Sequence, residues 1–216
     1  MADIQLHLID PTKIDAAWAR SVLSIDEKAR ADRFVFPDDA RRWTCVRAEC
    51  RRHLAAHLDI PIDEITWEYG AYEKPSITGH PLAFNLSHSK SLSALAIATK
   101  GPLGVDLEPE ARGEDLVADL HAFCHPEEIA RLPDLGRARA LIELWTAKEA
   151  FLKALGTGLS QPPEQVSVDG RTARGPVPGL AALHLIRPRH PALRHHALAI
   201  AAPVELGEVE VLHHHE

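Results

Sequence analysis

The 216-residue chain has three cysteines, Cys45, Cys50 and Cys124, at no zinc-like spacing, and an odd number cannot all pair. That excludes a disulfide framework and a cysteine-based metal knuckle, and it fits a reducing cytoplasm. Long apolar runs are missing. Stretches such as Ala94–Ala98 fall far below the roughly 20 residues that cross a bilayer. The opening Met-Ala-Asp-Ile-Gln has neither a basic nor an apolar signal region, so no secretory leader and no membrane partner are expected. Positive charge is in deficit, with 24 Lys and Arg against 31 Asp and Glu and a formal net charge of −7. Nucleic-acid binding requires a basic surface, which argues against that class as main partner. Walker A, Gly-x-Gly-x-x-Gly and Gly-x-Ser-x-Gly patterns are absent too, removing the common nucleotide loops and the hydrolase elbow.

What remains is ordinary globular composition, 45% hydrophobic and 25% charged, in a chain long enough for one large domain or two small ones. Ile4–Ile9 alternates and reads as a strand closed by Asp10-Pro11. Ile14–Phe34 reads as helix with a break near Ser24–Asp26, and Asp38–Leu58 as a second helix. Arg30, Arg33, Arg41, Arg42, Arg47, Arg51 and Arg52 make this the most basic region. Ile65–Tyr69 reads as a short strand and Gly70–Pro81 as turns. Leu82–Leu86 and Leu92–Ala98 read as strands around a polar elbow, Ser87–Lys90, and Leu103–Glu108 as another. His121–Leu132 and Arg137–Leu155 read as helices, the second ended by Gly156. Gly156–Gly179 reads as loop with a short strand near Val166–Val168, and Leu180–Ile186 and Ala197–Ala201 as strands. His213–His215 reads as a surface tail. A faint repeat, Ala94–Ala98 against Ala197–Ala201, favours two similar halves.

Three constellations carry chemistry. Asp106-Leu107-Glu108 sets two carboxylates on one face of an extended segment, an arrangement suited to a hard cation. In Trp145–Lys153, Leu141, Leu144, Trp145, Phe151, Leu152 and Leu155 share one helical arc, with Glu149 and Lys153 at its margin and Lys148 in its middle. If this helix packs beside the Asp106 strand, Glu149 is a third carboxylate and Lys153 faces whatever the metal holds. Ser87, His88 and Ser89 offer hydroxyl, imidazole and backbone donors suited to phosphate.

Phe84-Asn85-Leu86-Ser87-His88-Ser89, Gly104-Val105-Asp106-Leu107-Glu108 and Trp145-Thr146-Ala147-Lys148-Glu149-Ala150-Phe151-Leu152-Lys153 occur in that order. Together they resemble the 4′-phosphopantetheinyl transferase family, in its long, pseudo-dimeric type. Arg33-Phe34, Glu73-Lys74-Pro75, Phe123–Glu128 and Gly156–Ser160 extend the likeness. The resemblance implies an α+β fold of two similar halves about a pseudo-twofold, each a small mainly antiparallel sheet with packed helices, divided as 1–103 and 104–216. It implies Mg²⁺ held by Asp106, Glu108 and Glu149 against the diphosphate of coenzyme A, the co-substrate. By the same likeness Lys153 assists departure of 3′,5′-ADP, and Ser87 and His88 bind phosphate. Arg30, Arg42 and Lys74 would bind the nucleotide end, and Glu149 would take the proton of an attacking serine on an apo carrier protein. Lys90 and Trp43 depart from the family pattern, which has glycine and a small hydroxylic residue at those places. A monomer is expected, since each half supplies a partner surface. A coenzyme A- or carrier-binding scaffold without turnover and a Mg²⁺-dependent phosphohydrolase are the competing readings.

Overall fold

The strand β1 (Ile4–Ile9) is an inner strand whose alternation turns Ile4, Leu6 and Leu8 to one face and Gln5, His7 and Ile9 to the other. A computed structural model describes residues 2–70, 72–157, 161–175 and 182–214. After β1 come α1 (Ala16–Ser21), α2 (Ile25–Ala31) and α3 (Pro37–Leu58), then the hairpin β2 (Trp67–Tyr69) and β3 (Pro75–Ile77), then β4 (Ala83–His88) and β5 (Ser93–Ala98). The second half begins with β6 (Gly104–Pro109). It continues through α4 (Arg112–Leu116), α5 (Pro126–Arg131) and α6 (Arg137–Leu155) to β7 (Ser167–Asp169), β8 (Thr172–Arg174), β9 (Leu183–Ile186) and β10 (His196–Ala202). A last strand, β11 (Val209–His214), returns to the first sheet and pairs parallel with β1.

The strands form one sheet ordered β11-β1-β5-β4, a second ordered β6-β10-β9-β8-β7, and the separate hairpin β2-β3. Both halves therefore use the same plan: a first strand, a long helix laid over the sheet, a hairpin, and two antiparallel strands of which the last pairs with the first. This is a mixed α+β fold of two similar halves. Three apolar layers hold it. Ile4, Leu6, Leu8, Ala96, Val105, Leu107 and Ile200 fill the space between the halves. Leu95 and Ile97 pack with Cys45 and Leu54 of α3, and Phe151 and Leu152 of α6 pack with Ala199 and Ala201. Among the described residues no helix is long and apolar enough to cross a membrane.

The helix expected over Ile14–Phe34 is two helices. Ser24 accepts the Glu27 N–H and Glu27 accepts the Ser24 N–H, a capping box that restarts the chain at Ile25. The helix expected from His121 begins only at Pro126, where His125 and Glu128 form a second box. Ser87 and His88 belong to the end of β4 rather than to the turn. His213 lies in β11 opposite Leu8, so it is not part of a free tail, while His215 is outside the described residues. The strand expected over Leu180–Ile186 starts at Leu183, and residues 180 and 181 are outside the described residues. The two copies of the Ala-Leu-Ala-Ile-Ala repeat fall on corresponding strands but one residue out of phase. Leu95 and Ile97 face α3, whereas Leu198 and Ile200 face the space between the halves.

Gly104 permits the contact that brings β6 under α6. A Cβ there would lie 2.0 Å from the Ala150 carbonyl oxygen and 2.4 Å from the Ala154 nitrogen. Gly104→Ala is expected to cost at least about 1–3 kcal/mol in urea unfolding. Gly207→Ala, whose Cβ would meet nothing within 4 Å, is expected to leave the midpoint unchanged.

Candidate active site

Strand β6 and helix α6 run together from Gly104 against Ala150, and this packing carries Asp106, Glu108, Glu149 and Lys153 to one place. Asp106 is buried, 3% exposed, beneath the partly exposed Lys153. The Lys153 ammonium donates to Asp106 Oδ1 at 2.7 Å and to Ser87 Oγ at 3.0 Å. Ser87 donates to the same Asp106 oxygen at 2.9 Å, and its Oγ accepts the Leu107 N–H at 3.1 Å. Asn85, two residues earlier, accepts the Val105 N–H at 2.8 Å through Oδ1. β4 and β6 are each the edge of their own sheet, and these two side chains bind alternate amides across the seam. Asn85 stands in the recognised motif, yet sequence reasoning assigned it no role.

Two carboxylate oxygens here are buried without a hydrogen-bond partner, Asp106 Oδ2 and Glu149 Oε1. Such groups are costly unless something else satisfies them. The Glu149 carboxyl is pushed above its ordinary range first by burial and then by the negative charge of Asp106, with Lys153 opposing. Glu108 is pushed up by burial and Asp106 as well, although Arg112 is paired with it. Arg112 also lies over the Trp145 ring, its guanidinium carbon 5.1 Å from the centroid. Neither Arg112 contact is readable from spacing, because strand and helix must first be packed.

The first half holds a different set at the corresponding place. Glu49 and Glu149 are each the thirteenth residue of their long helix, and His53 and Lys153 each the seventeenth. His53 lies 3.1 Å from Glu49 and stacks on His7 of β1, ring centroids 4.0 Å apart. Burial raises the Glu49 carboxyl, but hydrogen bonds from His53 and Arg52 outweigh it and bring the pKa down to about 2. Glu49 is thus a satisfied carboxylate and Glu149 a frustrated one, so only the second half presents an acid cluster.

A separate cleft of about 460 Å³ gathers Arg30, Arg42, His88, Trp43 and Phe34. Arg30 sits over the Trp43 ring at 5.4 Å, and Phe34 is 6.0 Å from it, so Trp43 forms an aromatic wall. Arg42 is tied to Asp39 at 2.8 Å. His88 is exposed at one edge, and its pKa is lowered by the protein packed around its ring and then by Lys153 and Arg42.

Lys74 is not brought to this group. Its ammonium donates to the carbonyls of Leu103, Lys153 and Ala154 at 2.7–3.0 Å, capping the end of α6, and burial lowers its pKa to about 8. Three carbonyls use its three donors. Lys90 is exposed on the turn after β4. Lys148, in the middle of the apolar arc, turns away from this group. It is fully buried, pairs with Glu128 at 2.7 Å and donates to Pro163 and Val166 carbonyls at 3.0 and 2.6 Å. Glu128 in turn accepts the Val168 N–H at 2.8 Å, so the pair fastens the chain after α6 to α5 and α6.

The donor set can be tested against a hard cation. No three His, Cys, Asp or Glu side chains among the described residues already converge as metal ligands. Lys153 and Arg112 lean on two of the acids. The chemistry nonetheless fits a cation ligated by oxygen: two buried carboxylate oxygens lack partners, and two of the three acids are raised by burial and then by the charge of Asp106.

Two measurements check these assignments. Titrated by carboxyl NMR, Glu149 is expected to ionise above the ordinary Glu range, and Asp106→Asn to move it downward by removing a repelling charge. Lys148→Ala is expected to cost about 3–5 kcal/mol in chemical denaturation, because it strands buried Glu128.

Comparison with known proteins identifies the family. Residues 9–100 match the family model described as 4′-phosphopantetheinyl transferase, N-terminal, and residues 102–201 match the 4′-phosphopantetheinyl transferase superfamily. The chain is 35% identical over 148 residues to the 4′-phosphopantetheinyl transferase HetI of Nostoc sp., covering 65% of this chain and 62% of HetI. It is 31% identical over 173 residues to the 4′-phosphopantetheinyl transferase psf-1 of Bacillus pumilus, covering 79% of this chain and 70% of that protein. The transferase gsp of Aneurinibacillus migulanus is 30% identical over 165 residues, covering 74% and 68%. The matched stretch spans less than two thirds of the Nostoc relative and of a Synechocystis relative, 62% and 65% of their lengths. With both halves matched and the acids, lysine and seam assembled as described, the chain belongs to the 4′-phosphopantetheinyl transferase family.

Proposed function

We propose that this chain transfers the 4′-phosphopantetheine group of coenzyme A to a serine of an apo carrier protein, releasing 3′,5′-ADP. The observation that carries the proposal is the pair of unpartnered buried oxygens, Asp106 Oδ2 and Glu149 Oε1, beside the Lys153 ammonium. A buried acid cluster capped by one lysine suits a diphosphate brought in with Mg²⁺. Asp106, Glu108 and Glu149 would hold that ion, which when bound would neutralise charge on the phosphoryl oxygens.

The protein groups then divide the work. Lys153, fixed by Asp106 and Ser87, donates to the phosphoryl oxygens and offsets charge developing on the leaving group. Glu149, with its raised pKa, is suited to accept the proton of the incoming serine, directly or through water, because a base is most effective when its pKa approaches the working pH. The cleft of Arg30, Arg42, Trp43 and His88 suits the nucleotide end, with cations for phosphate and an aromatic face for the base. His88 with a lowered pKa acts as a neutral hydrogen-bonding group near pH 7. Because one chain supplies both halves, a monomer suffices.

The test is intact-mass spectrometry of several apo carrier proteins incubated with the chain, coenzyme A and Mg²⁺, with an EDTA control. A metal-dependent gain of one phosphopantetheine on serine is the expected result. Glu149→Gln is expected to lower transfer about a hundredfold or more while coenzyme A still binds. Binding without transfer to any carrier would favour a scaffold. Phosphate release without a carrier would favour a phosphohydrolase.

A further inference from the structure

Residues 170–204 contain no Asp or Glu, yet carry Arg171, Arg174, Arg187, Arg189 and Arg194 with His184, His190, His195 and His196. In a chain of net charge −7 this is a pronounced segregation of sign, and the motif-led sequence reading passed over it. The fold concentrates it. Arg187, Arg189 and Arg194, beyond the end of β9, line a cleft of about 430 Å³ with Arg139 of α6. All four arginines are exposed.

The cleft's carboxylates, Glu110 and Glu143, are both engaged by Arg139, the second at 2.6 Å. Among the described residues Arg187 donates to the Gly170 carbonyl at 3.2 Å, and Arg194 to His195 at 2.8 Å. Arg189 has no hydrogen-bond or ion-pair partner among the described residues. Among the described residues no carboxylate forms an ion pair with Arg187, Arg189 or Arg194, although Glu143 acts on Arg187 electrostatically from across the cleft.

Position in the fold narrows the occupant. Glu110 follows Glu108 by two residues, and Glu143 precedes Glu149 by six, about 9 Å along the helix axis. His196, which lines the cleft, is also 3.2 Å from Ser89 Oγ, on the turn after His88. The basic cleft thus borders the acid cluster. Its lining includes no Trp, Tyr or Phe, unlike the Trp43 cleft.

Building on the transferase reading, we propose that the surface formed by Arg139, Arg187, Arg189 and Arg194 docks an acidic face of the carrier-protein substrate. An acidic partner is repelled by most of this acidic chain and attracted here, beside the reacting centre. That orients its serine and raises the encounter rate.

The test compares wild type with Arg187→Glu/Arg189→Glu in transfer to an acidic carrier protein across a sodium chloride series. The expected result is a carrier KM raised about tenfold or more at low salt, with kcat at saturation and the coenzyme A KM within about twofold of wild type. The wild-type kcat/KM should fall as salt rises, and the variant's should fall less. Replacing acidic residues of the carrier's docking face by lysine should restore the variant's KM. Equal melting temperatures, or the same trend in the milder Arg187→Ala/Arg189→Ala, separate docking from misfolding. An unchanged carrier KM and salt slope would overturn the inference. So would relief of inhibition by inorganic phosphate or 3′,5′-ADP without any carrier effect, since the occupant would then be a small anion. If wild type modifies no carrier at all, the transferase reading itself fails.

Discussion

Two sheet edges meet along β4 and β6, and the contact is made by side chains. Asn85 and Ser87 accept the N–H groups of Val105 and Leu107, two residues apart, while Asp106 between them pairs with Ala199 in the β6–β10 ladder. An exposed edge strand would otherwise invite pairing with another chain. Here each half covers the other's edge, and the Ile4–Leu107–Ile200 layer is sealed beneath. Because Ser87 also touches Asp106 and Lys153, the same contact that joins the halves fixes the candidate site. Architecture and chemistry share one seam.

The two halves repeat a plan but not a chemistry. At matching points of α3 and α6 stand Glu49 with His53 and Glu149 with Lys153. The strand beneath differs as well: His7 lies under the first pair and Asp106 under the second. His53 and Arg52 stabilise Glu49 as a carboxylate. Asp106 and Glu108 destabilise the charge on Glu149, which then has unmet demand for a cation or a proton. Strand and helix partners together separate the satisfied Glu49 from the unsatisfied Glu149.

Much of this was legible in the sequence, for identifiable reasons. β1 and α6 match their expected bounds because their periodicity is strong and Gly156 (φ 72°) ends the helix in a left-handed cap. Alternation on a strand put Asp106 and Glu108 on one face, and the helical arc put Glu149 and Lys153 at one margin, but their meeting is set by the packing of β6 under α6. The strands β3, β7 and β8 span three residues each, and only β7 left a signal, near Val166–Val168. The return of β11 to β1 was hidden because parallel pairing across the whole chain leaves no local mark. The contacts of Lys148 and Lys74 were hidden for the same reason: a lysine's partners, here Glu128 and the end of α6, are set by packing and not by its neighbours in sequence.

The seam is tested most directly by native-state hydrogen exchange at the Val105 and Leu107 amides. Both should be protected as strongly as the core amides of β6. Asn85→Ala should release Val105 selectively, and Ser87→Ala should release Leu107 and loosen Lys153 from Asp106. Rapid exchange of both amides in wild type, or no change in the variants, would mean that the halves are held by the apolar layer alone. That result would contradict a seam that both joins the halves and fixes the site.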